Sequence, residues 1–315
     1  MTTTILTIGE SLVDVVDVPA DDGSPILVEH PGGSPMNIAV GAARLGLPVT
    51  LLTAIGPDDR GASIVQHLEV AGVDIAPASF RDEPTSSATA HLQSDGSARY
   101  DFDIRWSLPA GLELAPADIV HVGSIAAFIE PGGSSVAELL RALTDDGRAA
   151  LPLITFDPNM RPSIVTDHED ASARFAEIAS LAAVVKLSDE DAAWLYPGAT
   201  LDEAIDRILG LGPALVAVTR GGDGAVLATA GERLAVPGEP VQVADTIGAG
   251  DSFMSALIFG VGQALDTDVA AEALRDGTAF TAERLARIGA FAVRCAAVTV
   301  SRPGANPPTL AEVDG

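Results

Sequence analysis

Short runs of β-branched and aliphatic residues alternate along most of this chain with longer segments of helical apolar spacing, and that alternation leaves few architectures open. Thr4–Ile8, Val49–Ile55, Asp118–Val122, Leu151–Phe156, Ala183–Leu187 and Ala214–Thr219 read as buried strands. Helices are expected from Pro35 to near Gly46, over Asp58–Ala71 with Ile64, Val65, Leu68 and Val70 as its apolar positions, and over Ser134–Leu143, Ala171–Leu181 and Asp202–Leu211. Repeated strand-helix units build an α/β fold whose mostly parallel central sheet is covered on both faces.

Two stretches break the alternation. Leu12–Val18 and Ile26–Glu29 flank the turn-forming Asp21-Asp22-Gly23-Ser24, and T-S-S-A-T-A-H-L-Q and A-R-Y-D-F-D-I-R-W flank Ser94-Asp95-Gly96-Ser97. Both read as hairpins that pair into a small separate sheet, with Phe102 and Trp106 as its apolar positions. Thr267–Cys295 reads as a long Ala-rich helical region, and V-T-V-S-R-P-G-A-N-P-P after it as a loop. With no repeat or linker to split it, the chain is expected to form one domain over 1–315, the hairpin segments at about 12–31 and 85–106 being inserted within it.

A hydrophobic content of 47% is ample for a core, and 18 basic against 44 acidic residues give a formal charge of −26, which argues against nucleic-acid and anionic-membrane partners. Lys186 is the one lysine and follows Val185, so there is no G-x-x-x-x-G-K phosphate loop. Cys295 is the single cysteine, which excludes a disulfide framework and points to a reducing, cytoplasmic setting. His30, His67, His91, His121 and His168 lack metal-binding spacing, and neither a leader-like N-terminus nor a membrane-length apolar run is present.

The stretch Asp245–Phe253, D-T-I-G-A-G-D-S-F, lies between a β-like run, Val236–Val243, and an apolar run, Phe253–Gly262. Gly248, Ala249 and Gly250 allow a tight turn whose N–H groups converge on an anion at a helix N-terminus, and Asp251 sets a carboxylate beside them, which suits acyl or phosphoryl transfer. Taken alone, Asp251 is as readily a helix N-cap. Upstream, P-G-G-S-P-M-N-I-A-V-G-A-A-R-L-G offers Gly32 and Gly33 for close approach to a ligand, Pro35 to start a helix and Asn37 in its first turn. Asp14 can accept hydrogen bonds from sugar hydroxyls or stand as a solvated strand residue. Ligands of such sheets collect at the carboxyl ends of strands, where D-P-N-M-R, S-D-E-D and T-R-G-G-D-G lie.

Together these segments resemble the ribokinase-like (phosphofructokinase-B) family of carbohydrate kinases, and the likeness runs the length of the chain. It implies a ribokinase-like β-α-β sandwich whose small β-sheet forms a lid over the sugar. It further implies that Asp251 is the base that takes a proton from a sugar hydroxyl as that oxygen attacks the γ-phosphorus of ATP, with the N–H groups of Ala249, Gly250 and Asp251 stabilising the transferring group. Asp14, Gly32, Gly33, Asn37, Asn159 and Arg161 match sugar-binding positions, and Thr219, Gly221, Gly222 and Gly224, with Lys186 and Ser188, the ATP side. The family's N-x-x-E appears as Ser188-x-x-Asp191, so Asp191 either holds water on Mg²⁺ or simply joins a helix cap. A K⁺ site would use Asp245, Ile247 and carbonyls near Thr299, Arg302 and Gly304, Pro308 standing where some members offer a serine. The implied activity is an ATP-dependent kinase acting on a primary sugar hydroxyl, with fructose favoured by D-P-N-x-R, and a homodimer joined through its lids. The alternatives are a 2-keto-3-deoxygluconate kinase, for which Arg161 and Arg105 supply cations, a nucleoside kinase, and a non-catalytic sugar- or nucleotide-binding protein.

Overall fold

Successive residues of a strand face opposite sides of its sheet, and the central strands use this to feed two apolar clusters. Ile5, Ile119, Leu153, Val184 and Leu215 enter one, while Leu6, Val120, Ile154, Val185 and Val216 enter the other. The structure, a computed structural model, describes residues 2–19, 25–92, 98–109, 111–112, 114–144, 151–267 and 269–314. The hairpin turns expected at 21–24 and 94–97 lie outside them.

In chain order the elements are β1 (Ile5–Ile8), β2 (Leu12–Pro19), β3 (Pro25–Gly32), α1 (Ser34–Arg44), β4 (Val49–Leu52), α2 (Asp59–Ala71), β5 (Asp74–Ile75), β6 (Ser87–Leu92), β7 (Ala98–Asp103) and β8 (Ile119–Gly123). There follow α3 (Gly132–Leu143), β9 (Leu153–Asp157), α4 (His168–Leu181), β10 (Val184–Ser188), α5 (Asp189–Leu195), α6 (Leu201–Leu209), β11 (Leu215–Thr219), β12 (Ala225–Ala228) and β13 (Arg233–Val236). The last helices are α7 (Ala249–Asp266), α8 (Ala271–Arg275), α9 (Ala282–Val300) and α10 (Leu310–Val313).

Among the described residues, nine strands form the main sheet in the order β13-β12-β11-β10-β9-β8-β1-β4-β5. It is parallel except at one edge, where β12 pairs antiparallel with β11 and β13 antiparallel with β12. The two hairpins pair as expected into a second sheet, β3-β2-β6-β7, joined through the parallel pair β2·β6. Asp58 ties this sheet to the main layer. Its carboxylate caps α2 through the Gly61 N–H at 2.8 Å and accepts from both the N–H and the hydroxyl of Thr85, at the root of β6.

Several expectations fail for identifiable reasons. The strand expected over Val236–Val243 stops at Val236, because Pro237 and Pro240 have no N–H to continue a ladder, and Val241 and Val243 are left on an exposed loop. The strand beginning at Val49 ends at Leu52 rather than Ile55. Val70 is 85% exposed, since Ile64 and Leu68 take the buried stripe of α2. The C-terminal helical region is divided between α8 and α9 by a turn in which Gly277 has φ 84°, and α9 continues through Val298-Thr299-Val300, expected as loop. Trp106 is buried, donating from Nε1 to the Ala126 carbonyl at 2.9 Å, but Phe102 is exposed. Cys295 is buried and free. No helix among the described residues is long and apolar enough to cross a membrane.

Candidate active site

Helix α7 begins earlier than the apolar run suggested. Gly248 is its N-cap with φ 75°, a conformation suited to glycine, and a Cβ there would lie 2.7 Å from that of Ala305. Asp251 is therefore the third residue of the helix and not its cap. No side chain among the described residues caps this terminus, and Ala249 N–H makes only a 3.3 Å bond to Thr246 O. The N–H groups of Gly250 and Asp251 have no backbone partner among the described residues, so donors and helix dipole meet at one open point.

The Asp251 carboxylate is held from the first turn of α1. Ser34 Oγ donates to its Oδ1 at 2.6 Å and Asn37 Nδ2 to its Oδ2 at 2.8 Å. Pro35 in the first turn of α1 and Gly33 at its N-cap, with φ 112° and no room for a Cβ beside the Glu10 carbonyl, fix where that turn starts. Gly32 packs against Asp14, and Asp14 lies within electrostatic reach of His30 and Arg161; burial raises its carboxyl, and these two neighbours oppose the rise. Asn159 has φ 38°, and exposed Arg161 turns back to the Met160 carbonyl at 3.0 Å.

Beneath the helix N-terminus lies a buried ion pair, Lys186 Nζ to Asp157 Oδ2 at 2.8 Å. A Cβ on Gly250 would sit 2.9 Å from that ammonium, so the glycine lets the cation approach the terminus. Burial lowers the Lys186 pKa, but Asp157, Asp191 and Asp251 outweigh it and hold the ammonium above its ordinary value. Burial raises the Asp157 carboxyl to about 6 against the pull of Lys186. Next to this pair His121, kept neutral by burial with its pKa lowered to about 3, bonds Thr155 Oγ1 through Nδ1 at 3.0 Å. Its Nε2 and Thr7 Oγ1 have no partner among the described residues. Glu10, fully buried, accepts from Ala126 N–H at 3.1 Å and is raised to about 7, chiefly by burial.

On the other side of Gly250 a cavity of about 370 Å³ is lined by Thr219, Gly221, Gly222 and Gly224 together with Ala249 and the 238–243 loop. Ser188 and Lys186 do not line it. Ser188 and Asp191 form a reciprocal helix cap, and the second Asp191 oxygen accepts from Met160 N–H at 2.9 Å. Asp245 bridges two loops, accepting from Ile247 N–H at 3.0 Å and Gly304 N–H at 2.9 Å, which lowers its pKa. Thr299 is buried with its hydroxyl on the Cys295 carbonyl, and Arg302 pairs with Glu312. The structure thus brings Asp245 and Gly304 together.

Sequence reasoning passed over Ser34, Asp157 and Glu10. The first two stood inside quoted motifs, G-G-S-P and D-P-N, and Glu10 directly follows the first strand's terminal Gly9.

An open helix N-terminus, an oriented carboxylate and an adjoining slot define a group-transfer enzyme handling an anionic donor. Residues 2–312 match the pfkB family carbohydrate kinases, and the chain belongs to that family. A fructokinase of Klebsiella pneumoniae is 31% identical over 311 residues, covering 96% of this chain and 94% of that protein. Among solved structures, the fructokinase of Xylella fastidiosa with bound ATP superposes with a TM-score of 0.82 at 26% identity, covering 99% of this chain and 97% of that one. A double mutant of the Vibrio cholerae O395 fructokinase, bound to fructose, ADP and potassium ion, gives 0.79 at 25% identity, with 96% and 94% covered. The chain is an ATP-dependent sugar kinase with a ribokinase-type fold.

Proposed function

We propose that the chain transfers the γ-phosphoryl of ATP to a primary hydroxyl of fructose, with Asp251 as the base. The observation that carries this is the Asp251 carboxylate, fixed by Ser34 and Asn37 directly beside the open N–H groups of α7. A hydroxyl lying between Asp251 and the Asp14–Gly33 cluster gives its proton to Asp251 as its oxygen attacks phosphorus. The N–H groups of Ala249, Gly250 and Asp251 meet the charge on the transferring oxygens, and Lys186, fixed below them, adds a positive charge that needs no reorganisation. Thr219, Gly221, Gly222 and Gly224 hold the donor nucleotide.

Mg²⁺ takes few protein ligands and keeps substrate phosphates and water. Asp191, whose carboxylate caps its helix and accepts from Met160 N–H, would hold it through water, and Mg²⁺ there would neutralise phosphate charge. Asp245 with the carbonyls of Ile247, Thr299, Arg302 and Gly304 would supply the oxygen set for K⁺, and the ion would brace the loop carrying Gly248; a K⁺-free assay at matched ionic strength should show modestly slower turnover. The four-stranded sheet acts as the lid of one domain spanning 1–315, and its exposed Leu27 and Phe102 support pairing of lids in a cytoplasmic homodimer. Light scattering at micromolar concentration would show twice the chain mass.

Fructose is favoured over a keto-deoxy acid because Arg105 does not join Arg161. It pairs with Asp103 at 3.2 Å and lines a separate cavity of about 260 Å³ in which neither Arg161 nor Asp14 takes part. A coupled ADP-release assay across ketoses, aldoses, keto-deoxy acids and nucleosides should give fructose the highest kcat/KM. A higher value for a keto-deoxy acid or nucleoside would replace fructose, and no sugar-dependent release at all would leave a non-catalytic binder.

A further inference from the structure

The slot beside Gly250 is built without a side chain to read a base. One wall is Pro240, Val241 and Val243 on the loop after β13; the opposite wall is Val293, Ala296, Ala297 and Val300 on one face of α9. The hydroxyls of Thr219 and Thr246 lie in the segments at the phosphate end, next to the glycine loop and the start of α7. The one remaining polar side chain, Glu239, is drawn toward Arg294 Nε at 3.4 Å, and both are a little under half exposed. The loop backbone does not compensate with a fixed pattern. Pro240 has no N–H, and no backbone hydrogen bond among the described residues fixes 237–243, so its N–H and C=O groups are equally free to meet a donor or an acceptor.

We infer that this kinase accepts purine nucleoside triphosphates as a class, with 6-oxo purines such as GTP and ITP serving as phosphoryl donors alongside ATP. The inference rests on the reading of this cavity as the donor site. Adenine and guanine share a flat apolar face and differ in edge donors and acceptors. A site that hydrogen-bonds an edge rejects the wrong base by roughly 10⁴- to 10⁵-fold, whereas an apolar slot separates similar groups by only about 10- to 200-fold. Pyrimidines cover less of the valine and alanine walls and bind more weakly.

The test compares kcat/KM for ATP, GTP, ITP and CTP with saturating sugar, and calorimetric binding of non-hydrolysable ATP and GTP analogues. ATP and GTP should agree within about 200-fold in both measurements, with CTP below both. A larger preference for ATP in both would overturn the inference. Glu239→Ala should leave the GTP-to-ATP ratio within that same range; a larger change would assign base reading to Glu239 and overturn it too. Turnover with ATP but not GTP sinks only this inference, whereas no turnover with either nucleotide and fructose sinks the fructose assignment.

Discussion

The two faces of the main sheet are made by the same strands and finish differently. Under α3, α4 and α6 the strands present Leu6 and Ile8, Val120 and Val122, Ile154 and Phe156, Val185 and Leu187, all buried and all apolar. Under α1 and α7 they start apolar, at Ile5, Ile119, Leu153 and Val184, then turn polar toward their carboxyl ends at Thr7, His121, Thr155, Asp157 and Lys186. Parallel strands buried on both faces should read as continuous apolar runs. Where one face departs from that rule while the other keeps it, the departure lies beside the proposed site, and burying polar residues there carries a cost in stability.

Breaking the ion pair on the polar face should have the largest effect. Lys186→Met leaves Asp157 buried and unpaired, and we expect a loss of roughly 3–5 kcal/mol by urea unfolding together with a collapse of turnover. Adding Asp157→Asn should restore much of the stability and none of the turnover; recovery of both would make the pair purely structural. On the dry face Phe175, fully buried and 5.7 Å from the Phe156 ring, gives the matching control. Phe175→Ala should lose about 3–5 kcal/mol with KM and kcat of the folded enzyme unchanged. A selective fall in kcat would show that the faces are not functionally separate.

Glu10 sits at the rim between the faces, bonded to Ala126 of the dry cluster and within electrostatic reach of Asp251. Its folded-state value of about 7 lies above the ordinary 4.5, so its contribution to stability is complete below pH 4.5 and is lost as pH rises through about 7. Glu10→Gln should gain on the wild type by about 3 kcal/mol between pH 4.5 and 8. A gap that does not vary with pH would contradict the burial of an ionisable Glu10. The smallest effect is expected at Thr7, whose hydroxyl is buried without a partner among the described residues. Thr7→Val should stabilise by about 1 kcal/mol, and destabilisation would indicate a water bridging Thr7 to His121.

Much of this was legible in the residues. The strand-helix alternation, both hairpins and the glycine turns were visible because each is written in local pattern. Asp251 was singled out from its neighbours alone, but its helical position was not, since a G-A-G sequence gives no apolar period by which to start α7 at Ala249. The pairing of Lys186 with Asp157 was hidden because it depends on how β9 and β10 register, a property of two strands and not of either sequence. The early end of β13 could have been read from Pro237 and Pro240, which weigh more than the β-branched valines around them.

The proposed phosphoryl transfer depends on the open terminus of α7 and the carboxylate beside it. Asp251→Asn keeps the side-chain shape while removing the base: its amide oxygen can still accept from Asn37, and the Ser34 hydroxyl can turn to accept from its N–H. Fructose-dependent ADP release should fall by roughly 10²- to 10⁴-fold, with calorimetric ATP binding and unfolding stability close to wild type. Near-normal turnover in that variant would contradict the account.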